Sequence, residues 1–197
     1  MGVCQNYTAG SIAGRKAETR QPLCSWNHRL IVGRWSRAIS TILDGEQTVR
    51  ANKLKDALAA GRIPVGHMIS EFATRGIAKI VESTGVDFVL LDMEQTGHGA
   101  GAIADLLAWF KATEVTPFVR VPQAQYHFIA RVMDAGAMGV MLPNVETGEE
   151  ARAIVGAVKC APLGQRGVGL GTAHTDYVVP DPVACMEESV VRTLAGS

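Results

Sequence analysis

The sequence predicts an α/β fold with a parallel sheet built from four βα units. Three observations carry this reading. Apolar, strand-like runs alternate with amphipathic helical stretches from Asn52 onward. Strand starts recur at about 20–30 residues, the size of one βα unit. No hairpin signal separates successive strands, so right-handed crossovers and parallel pairing follow.

Each element has a local reason. Asn52 caps a helix through Leu54, Leu58 and Ala59, which Gly61 closes. Ile63–Ile69 reads as the first strand and Ala73–Ser83 as a helix ending before Gly85. Phe88–Met93 is a second strand, so dense in apolar residues that burial on both faces is expected. Gly101–Lys111 is a helix with Ile103, Leu106, Leu107 and Phe110 on one side. Pro117–Val121 is the third strand, Gln125–Asp134 a helix, Gly139–Val145 the fourth strand and Glu146–Val158 the fourth helix. After Ala161 the pattern dissolves into the glycine-rich run 164–171. Its GxGxG spacing hints at phosphate, but it does not follow a strand and open a helix, so the dinucleotide reading is weak. The end, 180–197, offers one short helix candidate, Val183–Leu194, and no fifth strand.

Composition bounds the function. The 197 residues carry 19 basic and 19 acidic side chains. Net charge zero argues against a dedicated nucleic-acid binder. No apolar run approaches the ~18 residues of a membrane span. The neutrality is a cancellation, because residues 1–50 hold seven Lys/Arg against three Asp/Glu and the remainder is correspondingly acidic. The chain therefore divides into an extension, 1–50, a βα domain, 51–179, and an atypical tail, 180–197. The Arg-rich, acid-poor extension suits a mitochondrial transit peptide or a disordered segment. A cytoplasmic protein is expected, or a mitochondrial one where 1–50 acts as a transit peptide. Cys4, Cys24, Cys160 and Cys185 are scattered, with no CxxC pair, and read as reduced thiols.

In parallel α/β folds, functional residues collect at the carboxyl ends of strands. Strand two ends in Asp92-Met93-Glu94-Gln95-Thr96-Gly97-His98. Asp92 and Glu94 point to one face and either serve a divalent cation or cap the next helix. Arg120 ends strand three and either clamps a carboxylate with two parallel hydrogen bonds or forms a surface salt bridge. Asp134 follows the third βα helix and either supports a strand-end group or is solvated. No lysine falls at a strand end, because Lys79, Lys111 and Lys159 lie on helices and Lys53 and Lys55 precede the first strand. Imine chemistry, which needs such a lysine, is disfavoured against metal-stabilised enolate chemistry.

Asn52-Lys53-Leu54-Lys55, Leu91-Asp92-Met93-Glu94, Val119-Arg120-Val121-Pro122, Met133-Asp134-Ala135-Gly136, Val140-Met141-Leu142-Pro143 and Gln165-Arg166-Gly167-Val168-Gly169 stand in a specific order. Together they resemble the HpcH/HpaI aldolase/citrate lyase family, from about Asn52 to Tyr177. The resemblance implies the first four βα units of a TIM (β/α)8 barrel. It implies metal-dependent aldol cleavage of 4-hydroxy-2-oxo acids to pyruvate, or a related 2-oxo acid, plus an aldehyde. It also implies Mg²⁺ or Mn²⁺ and a homo-oligomer, commonly a hexamer. Arg120 matches the family's active-site arginine, which contacts substrate oxygen. Asp134 matches the acid that raises the basicity of the active-site histidine. Glu94 matches an acid near the metal's water shell.

Two departures limit this. The family's histidine base is Gln95 here, and an amide cannot abstract a proton near neutral pH. Gln95 can still hydrogen-bond substrate, and His98 is the candidate substitute base. The family's direct metal ligands lie on strands five and six, which the sequence does not display. The expectation is a truncated barrel with open edges at strands one and four. The rival to a working lyase is an inactive fragment or pseudoenzyme.

Overall fold

Five parallel strands make one sheet, in the order β1-β2-β3-β4-β5, in the computed structural model, which describes residues 50–196. The elements run α1 Lys53–Ala59, β1 Gly66–Ile69, α2 Ile77–Ser83, β2 Phe88–Asp92, α3 Ala100–Phe110, β3 Thr116–Arg120, α4 Tyr126–Asp134, β4 Gly139–Met141, α5 Gly148–Val158, a 3-10 turn Ala173–Thr175, α6 Pro182–Arg192 and β5 Leu194–Gly196. The transit-peptide reading of residues 1–49 lies outside the described residues. No helix among the described residues is long and apolar enough to cross a membrane.

Several expected bounds are corrected: β1 starts at Gly66 rather than Ile63, α2 at Ile77 rather than Ala73, and β4 ends at Met141 rather than Val145. A fifth strand exists and pairs parallel with β4, so β4 is not an edge. Its three residues, Leu-Ala-Gly, are too few and too small to give a period-2 signal. The α5 helix starts at Gly148 rather than Glu146, because Thr147 is its N-cap. The Thr147 hydroxyl accepts from Glu150 N, and the Glu150 carboxylate accepts from Thr147 N, a capping box.

Side-chain alternation sorts the two faces of the sheet. Val89 and Leu91 of β2, Val119 of β3 and Val140 of β4 pack outward into the core beneath the helices. There they meet Ile103, Leu106, Leu107 and Phe110 of α3, all fully buried. Spacings of three and four residues put these side chains on one helix face, and each contributes about 1.5–3 kcal/mol by leaving water.

The other face carries Phe88, Leu90 and Asp92 on β2 and Thr116, Phe118 and Arg120 on β3. Phe88 and Phe118 meet edge to face, with ring centroids 6.0 Å apart. Each ring lies over a glycine of the neighbouring strand: a Cβ on Gly66 would meet the Phe88 ring at 2.2 Å, and one on Gly139 the Phe118 ring at 2.5 Å. A Cβ on Gly139 would also come within 2.7 Å of the Leu194 carbonyl. Gly139→Ala is therefore expected to push β5 off β4, at a cost of about 1–3 kcal/mol. Faster amide exchange in 194–196 than in β2 would report it.

Polar side chains tie the amino end of the sheet together. Asn52 caps α1 by accepting from Lys55 N, and its amide donates to Met138 O at 3.1 Å and Arg192 O at 2.7 Å. Arg50 donates to the carbonyls of Phe110 and Thr113, satisfying the C-terminus of α3. Buried Arg166 joins three segments: it donates to Val158 O at 2.9 Å, Asp134 Oδ1 at 2.7 Å and Ser189 Oγ at 2.8 Å. Cys160 and Cys185 are buried free thiols.

Candidate active site

The parallel register sets Asp92 directly beside Arg120 at the carboxyl ends of β2 and β3. Both are two residues on from an inward-facing neighbour, so both side chains rise on the same face. The guanidinium grips the carboxylate at two points, Nε to Oδ1 at 2.8 Å and Nη2 to Oδ2 at 2.7 Å. Oδ1 also accepts from Glu94 N at 2.9 Å and Gln95 N at 3.4 Å, which turns the chain sharply after the strand. Thr96 Oγ1 donates to Asp92 O at 2.7 Å and accepts from His98 N at 3.2 Å, fixing the rest of the loop.

Glu94 approaches the other side of the guanidinium, Oε2 to Nη1 at 3.2 Å. Two of the five Arg120 N–H groups are hydrogen-bonded to Asp92, and Nη1 faces Glu94 as an ion pair. Among the described residues, the N–H groups left on the two terminal nitrogens have no hydrogen-bond partner and are available to an incoming oxygen. The Arg120 side chain keeps 22% of its exposure while that of Asp92 keeps 1%. Asp92 is the buried anchor and Arg120 the half-open tool.

This pairing perturbs both groups. Hydrogen bonds from Arg120 hold the Asp92 carboxyl below the ordinary aspartate range, against the opposing effect of burial. The same partner raises Arg120. A depressed folded value means the unfolded chain binds the proton more readily at low pH. The pair's stabilisation is therefore complete above the ordinary aspartate pKa of about 4 and is lost as pH falls through the lower folded value. Urea midpoints measured from pH 6 to pH 2 should fall over that window, and Asp92→Ala should remove this component of the fall.

The other expected residues are placed differently. Gln95 is exposed, and its side-chain amide makes one long contact to Glu94 at 3.4 Å. His98 sits in the same loop, but its Nε2 is sealed from solvent with no hydrogen-bond partner among the described residues. A nitrogen so enclosed reaches a substrate only if the loop shifts. Asp134 is not brought to this site. It ends α4, and a helix running antiparallel to its strands ends at their amino side, where Asp134 pairs with Arg166. Within this chain it cannot support a base beside Arg120.

Glu94, expected near a metal, spends its carboxylate on Arg120. Among the described residues no group of three His, Cys, Asp or Glu side chains could hold a metal ion. The donor set present does not fit a divalent cation. The lysines are no closer to carbonyl chemistry. Burial, with Lys55 and Arg166 nearby, lowers Lys159 to about 8. Yet its ammonium is held by Val190 O and Thr193 O beside α6, away from the strands' carboxyl ends.

Asp92, expected to serve a cation or cap a helix, is instead the partner of Arg120. The signal for that pairing is that the apolar runs of β2 and β3 both end in a charged residue, of opposite sign.

Comparison with known proteins decides the family. The HpcH/HpaI aldolase/citrate lyase profile matches residues 68–193, well over half the chain. The chain belongs to the HpcH/HpaI aldolase/citrate lyase family. The match extends through α6, beyond the limit near Tyr177 that the sequence motifs set. The chain is 38% identical over 122 residues to a 4-hydroxy-2-oxovalerate aldolase of Novosphingobium aromaticivorans, spanning 60% of this chain and 45% of that protein. It is 32% identical over 152 residues to a hydroxypyruvate/pyruvate aldolase of Roseovarius nubinhibens, spanning 74% and 59%. Among solved structures, the HpcH/HpaI aldolase from Desulfitobacterium hafniense superposes with a TM-score of 0.70 at 31% identity, over 74% of this chain and 56% of that one. The chain thus spans about half the length of the curated relatives it matches. The five parallel strands are part of the TIM barrel of this family.

Proposed function

We propose that this chain carries the 2-oxo-acid-binding half of an aldehyde-lyase site, with Arg120 as the group that receives substrate oxygen. The supporting observation is the geometry of Arg120: anchored at two points by buried Asp92, with N–H groups on both terminal nitrogens that have no hydrogen-bond partner among the described residues, at the carboxyl end of a parallel sheet. Preorganised donors of this kind stabilise the negative charge that builds on oxygen as a carbon–carbon bond breaks, because they need no reorientation at that moment. Relatives named as aldolases of hydroxyoxovalerate and of hydroxypyruvate/pyruvate support the substrate class. On this reading an incoming carboxylate or carbonyl displaces Glu94, whose single contact is the weaker of the two, while Asp92 keeps the guanidinium in place. Gln95 donates its amide to the same substrate. The family's activity generally requires a divalent cation. The donors described here do not supply its ligands, so the steps assigned to this chain are binding, orientation and charge stabilisation.

His98 is the candidate for proton transfer. A buried nitrogen without a partner costs about 1–3 kcal/mol, which a bound hydroxyl or water would recover once the loop shifts. If exchange rates of His98→Ala match wild type at every pH, His98 has no such role.

The second reading is a binding fragment without turnover. It draws on Gln95 in place of a base and on the absent metal cluster among the described residues. One experiment separates the two. The purified chain is given pyruvate and Mn²⁺ in D₂O, and loss of the methyl proton signal is followed by NMR. Exchange above the protein-free control, abolished in Arg120→Ala, is the expected result. Absence of exchange from a protein that is folded by circular dichroism overturns the lyase reading.

A further inference from the structure

One row of side chains crosses the carboxyl end of the sheet. On β2 and its continuation, the buried apolar residues Leu91 and Met93 flank Asp92. Val119 and Val121 flank Arg120 in the same way, and Val140 and Leu142 flank Met141. Alternation turns all three flanked residues to the opposite face. Val140 and Leu142 are accordingly 2% and 1% exposed, while Met141 between them keeps 38%. The ladder sets the three side by side, Asp92 paired with Arg120 and Arg120 with Met141. Two backbone bonds hold this register past the strand ends. Met93 N donates to Arg120 O at 2.9 Å, and Val121 N to Met141 O at 3.1 Å.

The two flanks of Arg120 differ in chemistry. The β2 flank carries the carboxylates of Asp92 and Glu94. The β4 flank carries Met141. Below it on the same face, the Phe118 ring fills the space over Gly139. Met141 therefore stands on an apolar floor beside the guanidinium. A 2-oxo acid has a polar end, its carboxylate and carbonyl, and a carbon chain that begins at C3. With the polar end on the guanidinium, a chain turned toward β2 would strip water from carboxylates and replace none of their hydrogen bonds. Turned toward β4, it buries apolar surface against a flexible thioether.

We infer that Met141 is a specificity-determining residue, the wall against which C3 of the 2-oxo acid packs, and that it selects an apolar C3 over a hydroxylated one. The inference rests on the reading of Arg120 as the receiver of substrate oxygen. A hydroxyl on C3 would face sulfur, a weak acceptor, and would give up its bonds to water.

The test is calorimetric titration of the full chain with pyruvate, hydroxypyruvate and 2-oxoisovalerate. Wild type is expected to bind pyruvate about tenfold more tightly than hydroxypyruvate, a scale of discrimination within reach of an apolar pocket. Met141→Gln should bring the two affinities close together, because its amide can hydrogen-bond the hydroxyl. Met141→Leu should keep the wild-type ratio. Met141→Ala should gain affinity for the branched 2-oxoisovalerate relative to pyruvate, because the shortened side chain leaves room. Isotopic labelling of the methionine methyl groups gives an independent readout by NMR. The signal absent from Met141→Leu belongs to Met141, and pyruvate should shift it in wild type but not in Arg120→Ala. An unshifted Met141 signal, or an affinity ratio unchanged in Met141→Gln, while Arg120→Ala abolishes binding, overturns the role of Met141 and leaves that of Arg120 standing. If the folded wild type binds none of the three acids, both roles fall together.

Discussion

Asp92→Asn is expected to destabilise the fold by about 3–5 kcal/mol, the cost of breaking a buried ion pair from one side. Asp92 Oδ1 accepts from Arg120 Nε and from the backbone of Glu94 and Gln95, and Oδ2 accepts from Arg120 Nη2. An amide has one oxygen, so in either rotamer its NH₂ faces a donor. The guanidinium loses its second grip and the turn after β2 loses its template. Arg120→Ala should cost a similar amount, because it strands a fully buried carboxylate. The double variant Asp92→Ala with Arg120→Ala should cost clearly less than the sum of the singles, as expected for partners in direct contact. Urea denaturation of wild type, Asp92→Ala, Arg120→Ala and the double variant measures this. Additive losses would mean that the two side chains act independently.

Arg166→Ala carries the second large effect, about 3 kcal/mol or more, since hydrogen bonds to a charged donor contribute about 1.5–3 kcal/mol each. Three bonds vanish together, to Val158 O, Asp134 and Ser189. Asp134 is partly exposed and can turn to water, but Ser189 and the Val158 carbonyl are enclosed. Arg166→Lys should rescue little, because one ammonium cannot reach three acceptors set around a planar fork. The loss should be local first. Hydrogen exchange in α6 and β5 should accelerate ahead of β2 and β3, because Arg166 ties α6 to the ends of α4 and α5. Uniform acceleration across the sheet would show instead that the clamp supports the whole core.

The sequence made the repetitive part of the fold readable and the singular part opaque. The α3 stripe of Ile103, Leu106, Leu107 and Phe110 was visible because helical period and burial coincide there. Strands β2 and β3 were visible because continuous apolar runs have few other uses. Strand β5 was invisible because three small residues carry no period. Its place depends on Gly139 opposite, a tertiary fact. In the site, the strand ends of Asp92 and Arg120 were legible one at a time. Their pairing depends on register, which no local pattern records. Asp134 misled for the opposite reason. The motif around it resembles the family's, yet in this chain the α4 helix carries its carboxylate to the amino end of the sheet, into the grip of Arg166. Asn52 was readable as a cap but not as a staple, because its amide partners, Met138 and Arg192, are distant in sequence.

On the proposed reading, the N–H groups that Arg120 does not give to Asp92 receive a 2-oxo acid. Titration of pyruvate into wild type and Arg120→Lys, followed by calorimetry or NMR, measures this. Lysine keeps the charge but loses the two-point grip of Asp92 and the planar pair of donors. The predicted result is at least a tenfold weaker affinity in the variant, which corresponds to about 1.4 kcal/mol. Equal affinity for the two proteins, both folded, would show that the Arg120 guanidinium does not receive the substrate.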